Sequence, residues 1–81
     1  MEANFSTLIM SLGSSALIGL GLAPNPNSGQ IEKDIKMAEF NIDLLRILES
    51  KTKGNLTKEE SEFLKNILSD LQMQFVTNNK N

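Results

Sequence analysis

The run NFSTLIMSLGSSALIGLGLAP, Asn4 to Pro24, carries no charge, and nineteen of its residues, Phe5 to Ala23, are dominated by apolar and small side chains. A segment of this kind has three fates: a membrane span, a secretion signal, or a helix that is packed against protein. A transmembrane helix needs ~20 predominantly apolar residues, so length alone leaves the first fate open. Composition argues the other way. Ser6, Thr7, Ser11, Ser14 and Ser15 bring five hydroxyls, and Gly13, Gly19 and Gly21 dilute the apolar content further. No Lys or Arg precedes the segment to orient it, and the first one after it is Lys33. A secretion signal needs a positive start, where this chain has Glu2. The preferred reading is a helix buried in protein, with a membrane anchor through residues 5–23 as an alternative.

At 100° per residue, Phe5, Leu8, Ile9, Leu12, Ala16, Gly19 and Leu20 fall on one face of that helix. Met10 and Leu17 widen the face, while Thr7, Ser11 and Ser14 lie opposite with Ile18 among them. The apolar arc approaches half the circumference, which is more than one neighbouring helix covers. Ser11, Ser15 and Gly19 are four apart, a spacing that lets helix backbones approach closely. Each glycine lowers helix propensity by ~1 kcal/mol relative to Ala, so the helix requires packing to persist. These features predict a homo-oligomer, a dimer by preference, in which Phe5, Leu8, Ile9, Leu12, Ala16, Gly19 and Leu20 form the interface between first helices.

Charge divides the rest of the chain from this segment. After Glu2 no ionisable side chain occurs until Glu32, and from there the sequence is rich in them. Between the two parts lies a Pro/Asn loop, residues 23–29, whose Pro24, Asn25, Pro26 and Asn27 form a stiff candidate loop for docking a partner. Ile31, Ile35, Ala38, Ile42 and Leu45 then recur at spacings of four and three, with Glu32, Lys36, Glu39, Asp43 and Arg46 on another face. This pattern predicts an amphipathic helix over about 30–52, capped by Asn27 or Ser28 with Gln30 completing a capping box. Gly54 supplies a left-handed residue to end it, and Lys51 and Lys53 suit the negative end of its dipole. A third helix, 57–76, starts at Thr57 with Glu60 in the reciprocal position and buries Leu64, Leu68, Leu71 and Phe75. A short connection between helices of similar length predicts an antiparallel hairpin. The end, 77–81, reads as a disordered tail. The expected fold is therefore all-α: an apolar N-terminal helix followed by an antiparallel helical hairpin, three helices in a single domain, 1–81, and oligomeric.

What the chain lacks narrows its function. It has no cysteine, histidine, tyrosine or tryptophan. Thiolate and imidazole ligands, and the usual general acid/base, are therefore missing, and no cysteine is consistent with a reducing, cytoplasmic setting. Glu39 with Asp43, and Glu59, Glu60 and Glu62, read as solvated faces and a favourable helix start, not as cation sites. Serines without a histidine have no activating base, so neither an enzyme nor a resident cofactor or metal is expected. Eight basic and ten acidic residues give a formal charge of -2, which offers no broad field for nucleic acid. A local anion contact at Lys51 and Lys53 stands beside the plainer reading of these residues as helix-ending cations.

The runs FSTLIMSLGSSALIGLG, GLAPNP, NIDLLRILESKTKGNLTKEE and LSDLQMQFV together resemble the small bacterial family 1844 of domains of unknown function. The likeness covers about Phe5 to Val76, most specifically in IDLLRILESKTKGNLT. It implies a helical fold and brings no reaction, cofactor or catalytic residue. Relatives encoded near translation-factor genes supply a second function class. The leading expectation is a small soluble, self-associating structural or adaptor protein with a protein partner. The alternative is an accessory factor of the translation machinery, with Lys51, Lys53 and Lys58 on RNA phosphate.

Overall fold

The computed structural model describes residues 2–78, and these form three helices with no strand among them. Helix α1 spans Phe5–Leu20, α2 Ile35–Lys51 and α3 Lys58–Asn78. Each begins on a side chain that satisfies a backbone N–H the helix itself leaves unpaired. Asn4 Oδ1 accepts from Thr7 N at 2.8 Å, and Asp34 Oδ1 accepts from Met37 N at 3.1 Å. At α3 the capping is reciprocal: Glu60 N donates to Thr57 Oγ1 at 3.1 Å, and Thr57 N donates to Glu60 Oε1 at 2.9 Å.

The helix limits differ from the sequence expectation at three points. Helix α1 stops at Leu20 because Gly21, at φ 80°, turns left-handed; its N–H bonds to Ile18 O and that of Leu22 to Leu17 O, the paired bonds of a Schellman cap. The predicted start of α2 near residue 30 is wrong: residues 31–34 are not helical and Asp34, not Asn27 or Ser28, is the cap. The preceding loop closes on itself, with Asn25 N donating to Gln30 O, Gly29 N to Asn25 O and Asn27 N to Asn25 Oδ1. Gly29 takes φ 71°, and Ile31, expected on the buried stripe, is exposed. Finally, Thr77 and Asn78 continue α3, while the remainder of the expected tail, 79–81, lies outside the described residues. Gly54 does take the left-handed conformation, at φ 86°.

Three side chains from each helix make the core: Ile9, Ala16 and Leu20; Ala38, Ile42 and Leu45; Leu64, Leu68 and Leu71. All three helices touch one another, and the most extensive contact is between α1 and α2. Its closest point is Gly19. A Cβ there would lie 2.7 Å from the carbonyl oxygen of Asp34 and 2.8 Å from the amide nitrogen of Ala38. The backbones are joined at the same place, since Asp34 N donates to Gly19 O at 2.7 Å. Of the small-residue stripe of α1, Gly19 thus serves packing inside one chain, Ser15 is half-buried and Ser11 is exposed. Lys33 ties in the third helix: its stem crosses Gly21, and its Nζ donates to the carbonyl of Asn78 at 2.9 Å, where a cation suits a helix C-terminus. Asn41, the one buried polar side chain among the described residues, donates Nδ2 to Met37 O one turn back at 2.9 Å.

Candidate functional site

The seven residues expected to join two copies are mostly inside one copy. Ile9, Ala16, Gly19 and Leu20 are buried in the three-helix core, and Phe5 and Leu12 are half-buried against it. Only Leu8, 44% exposed, is open to solvent. This corrects the predicted interface, and the reason is physical. The expectation compared the apolar arc of α1 with the cover that one neighbouring helix gives. In the fold, α1 has two neighbours, and α2 and α3 together bury Ile9, Ala16, Gly19 and Leu20 while Leu8, Met10 and Leu17 stay exposed.

What α1 leaves outside is a different face. Met10 is 58% exposed and Leu17 36% exposed, and they flank Gly13 and Ser14. Together with Ile67, Asp70, Leu71 and Gln74 of α3 they line a groove of about 530 Å³. The groove exists because α1 and α3 meet less closely than α1 and α2: a Cβ at Gly13 would reach Ile67 Cγ2 at 3.4 Å and Leu71 Cδ1 at 4.0 Å, ordinary contact distances. Hydropathy periodicity counts Met10 and Leu17 as a widening of the apolar arc but does not show the groove between them and α3, because a glycine such as Gly13 adds nothing to an apolar stripe.

The loop residues Pro24, Pro26 and Asn27 are exposed and Asn25 is half-buried, so the hydrogen bonds that close the loop present a preformed tip. At the other end of the molecule, Lys51 and Lys53 are exposed on either side of Thr52, the α2 cap. Lys53 joins Arg46 and Lys65 around a cavity of about 510 Å³, which Glu49, Leu56 and Leu64 also line, whereas Lys51 is not among its walls. Arg46 is already engaged: it lies 3.6 Å from Asp43, and with the Gln72 amide oxygen turned toward it, Nε and Nη2 donate to that oxygen at 2.9 Å. A second, smaller cleft of about 130 Å³ lies between Glu39, Asp43 and Arg46 of α2 and Phe75 and Val76 of α3.

Among the described residues no group of three His, Cys, Asp or Glu side chains is arranged to hold a metal ion. Nor is any described helix long and apolar enough to cross a membrane; α1, the apolar one, has 16 residues. Other apolar side chains stand exposed around the molecule, among them Phe40 and Ile47 on α2 and Met73 and Val76 on α3.

The model of the family described as Domain of unknown function (DUF1844) matches residues 2–77, and the chain belongs to that family. No curated protein and no solved structure matches it.

Proposed function

We propose that this member of a family of unknown function is a small self-associating structural or adaptor module, without catalytic activity, that works in the cytoplasm by presenting surfaces to protein partners. The observation that carries the reading is the distribution of apolar surface. In a molecule only 16 Å across its shortest dimension, large apolar side chains remain exposed on every helix: Leu8, Met10 and Leu17, then Phe40 and Ile47, then Met73 and Val76. Single exposed apolar residues are ordinary, but Met10 and Leu17 border a groove on a helix that carries no charge at all. Support for α2 and α3 as an antiparallel hairpin comes from Lys33, just before α2, meeting Asn78 at the end of α3, and from Arg46 and Glu49, late in α2, lining one cavity with Ser61, Leu64 and Lys65, early in α3.

Light scattering coupled to size-exclusion chromatography, run from low micromolar to several hundred micromolar protein, tests the reading. A mass that rises from one chain to two supports it. A single-chain mass at every concentration removes self-association. Spinning a detergent-free lysate at high speed addresses the anchor alternative, since recovery only with membranes would overturn a module that works in the aqueous phase.

The cations around the α2–α3 turn favour a second reading, a factor that docks on RNA. Arg46, Lys53 and Lys65 share one cavity, and Lys51 and Lys58 are exposed nearby. Phosphate contacts of this kind weaken steeply with salt, so anisotropy titrations with labelled ribosomal RNA at low and high salt separate the readings. Binding that vanishes as salt rises supports the docking factor, and no binding at low salt eliminates it.

A further inference from the structure

We infer that the groove between α1 and α3 is occupied by α1 of a second copy of this chain, in a two-fold contact centred between Gly13 and Ser14. The inference deepens the self-association proposed above and rests on it. It also moves the contact from the residues that the sequence pattern nominated to the flank of α1 that carries Met10 and Leu17.

Charge selects the occupant. The groove's α1 wall, Met10, Gly13, Ser14 and Leu17, holds no ionisable group, and Asp70 on the α3 rim is the only charged residue lining it. A charged helix laid against such a wall would lose hydration without gaining a partner for its charges. Of the three helices, α2 and α3 are studded with Lys, Arg, Asp and Glu, whereas all 16 residues of α1 are uncharged. The surface that best fits the wall is therefore the wall itself.

The spacing is self-complementary. With a two-fold axis crossing α1 between Gly13 and Ser14, antiparallel copies bring Met10 of one chain against Leu17 of the other, twice, one pair on each side of the axis. Ser14, exposed beside the axis, then meets its counterpart at the crossing, where its small side chain lets helices approach to the near end of the ~8–10 Å range of interaxial distances, while Gly13, buried against Ile67 and Leu71, lies beneath the contact. Area requires the groove as well as the helix. A stable interface buries roughly 800 Å² per partner, about a seventh of the 5678 Å² that this chain exposes. A helix of 16 residues is only about 24 Å long at ~1.5 Å per residue, so its narrow outer face alone falls short of that area. Seated between α1 and α3, it also covers Ile67 and the exposed flank of α3.

A chain without cysteine allows a direct test. Ser14 is exposed, so Ser14→Cys leaves the core untouched. With Cα atoms ~2.3 Å off each helix axis, two helices ~8–10 Å apart place facing Cα atoms about 3.5–5.5 Å from one another, overlapping the ~4.4–6.8 Å that a disulfide spans. Under mild oxidant, Ser14→Cys is expected to cross-link to near completion within the time that Glu49→Cys, on α2, gives only a trace. Ser14→Glu places an unpaired charge at the crossing and is expected to weaken dimerisation by about 100-fold or more while leaving the helical circular dichroism and melting curve of the monomer intact. Phe40→Glu, on the exposed face of α2, is expected to leave the dimer as it is. The outcomes separate cleanly. A wild-type chain that is monomeric at every concentration defeats self-association altogether. A dimer that survives Ser14→Glu, or that Phe40→Glu dissociates, leaves self-association standing and overturns the groove as its site.

Discussion

Against α2, the backbone of α1 comes so near at Gly19 that a methyl group would sit 2.7 Å from the Asp34 carbonyl oxygen; against α3, at Gly13, the same methyl would rest 3.4 Å from a side-chain carbon of Ile67. Both glycines are buried in one helix, six residues apart, and both cost that helix propensity. One of them is required by its neighbour and the other is tolerated by it. The difference lies in what each faces. Gly19 meets main-chain atoms, which move only if α2 moves, whereas Gly13 meets the ends of Ile67 and Leu71 side chains, which can adjust. The closed seam fixes how the domain is built, and the open one leaves a groove for something else to fill.

The largest expected effect is at the closed seam. Gly19→Ala is expected to destabilise the fold by about 3 kcal/mol or more, because a Cβ inside contact distance of backbone forces α1 and α2 apart. Urea melts of the two proteins measure it, and a midpoint within error of wild type would erase the distinction between the seams. Gly54→Val comes next, at about 2 kcal/mol. Nothing lies within 4 Å of a Cβ at Gly54, so the cost there is only the left-handed backbone at φ 86°, which a β-branched residue resists. That variant isolates conformational strain from crowding, and a loss as large as that of Gly19→Ala would show the steric account of Gly19 to be unnecessary. Thr57→Ala is expected to cost ~1 kcal/mol through the lost acceptor at Glu60 N. Thermal melts at equal concentration check it; an unchanged midpoint would mean the α3 start is held by packing against α1 and not by its cap. Smallest is Gly13→Ala, expected to be neutral or stabilising by up to ~1 kcal/mol, since the gain in helix propensity meets only ordinary contacts. A clear destabilisation would show that the open seam is as unyielding as the closed one.

The parts of the fold that were legible in the sequence are those decided by neighbours along the chain. Thr57 with Glu60, the left-handed Gly54, and the four–three stripes of α2 and α3 are local signals with local causes, and they appear where the residues placed them. The start of α2 was misread because the apolar spacing runs on through Ile31 while the backbone does not. Its real cap, Asp34, is held by a hydrogen bond to Gly19, a residue on another helix that no local pattern reveals. The same limit applied to the candidate interface. Projecting α1 as a wheel ranked residues by hydropathy, so Leu8 was put inward and Gly13 ignored, whereas shape put Gly13 inward and left Leu8 outside. Weighing that arc against one neighbouring helix, where the fold supplies two, then turned a core face into an apparent surface for a second chain.

The hydrogen bond from Asp34 N to Gly19 O makes an unusual reporter of this architecture. A cap residue's own amide normally faces water and trades its proton with solvent quickly. This one is held at 2.7 Å by a carbonyl of α1, so its proton is released only when the two helices separate. In deuterated water the Asp34 amide should therefore exchange on the timescale of core amides such as that of Leu45. Loosening α1 anywhere along its length would be read out, before any helix melts, at a single site on the edge of another.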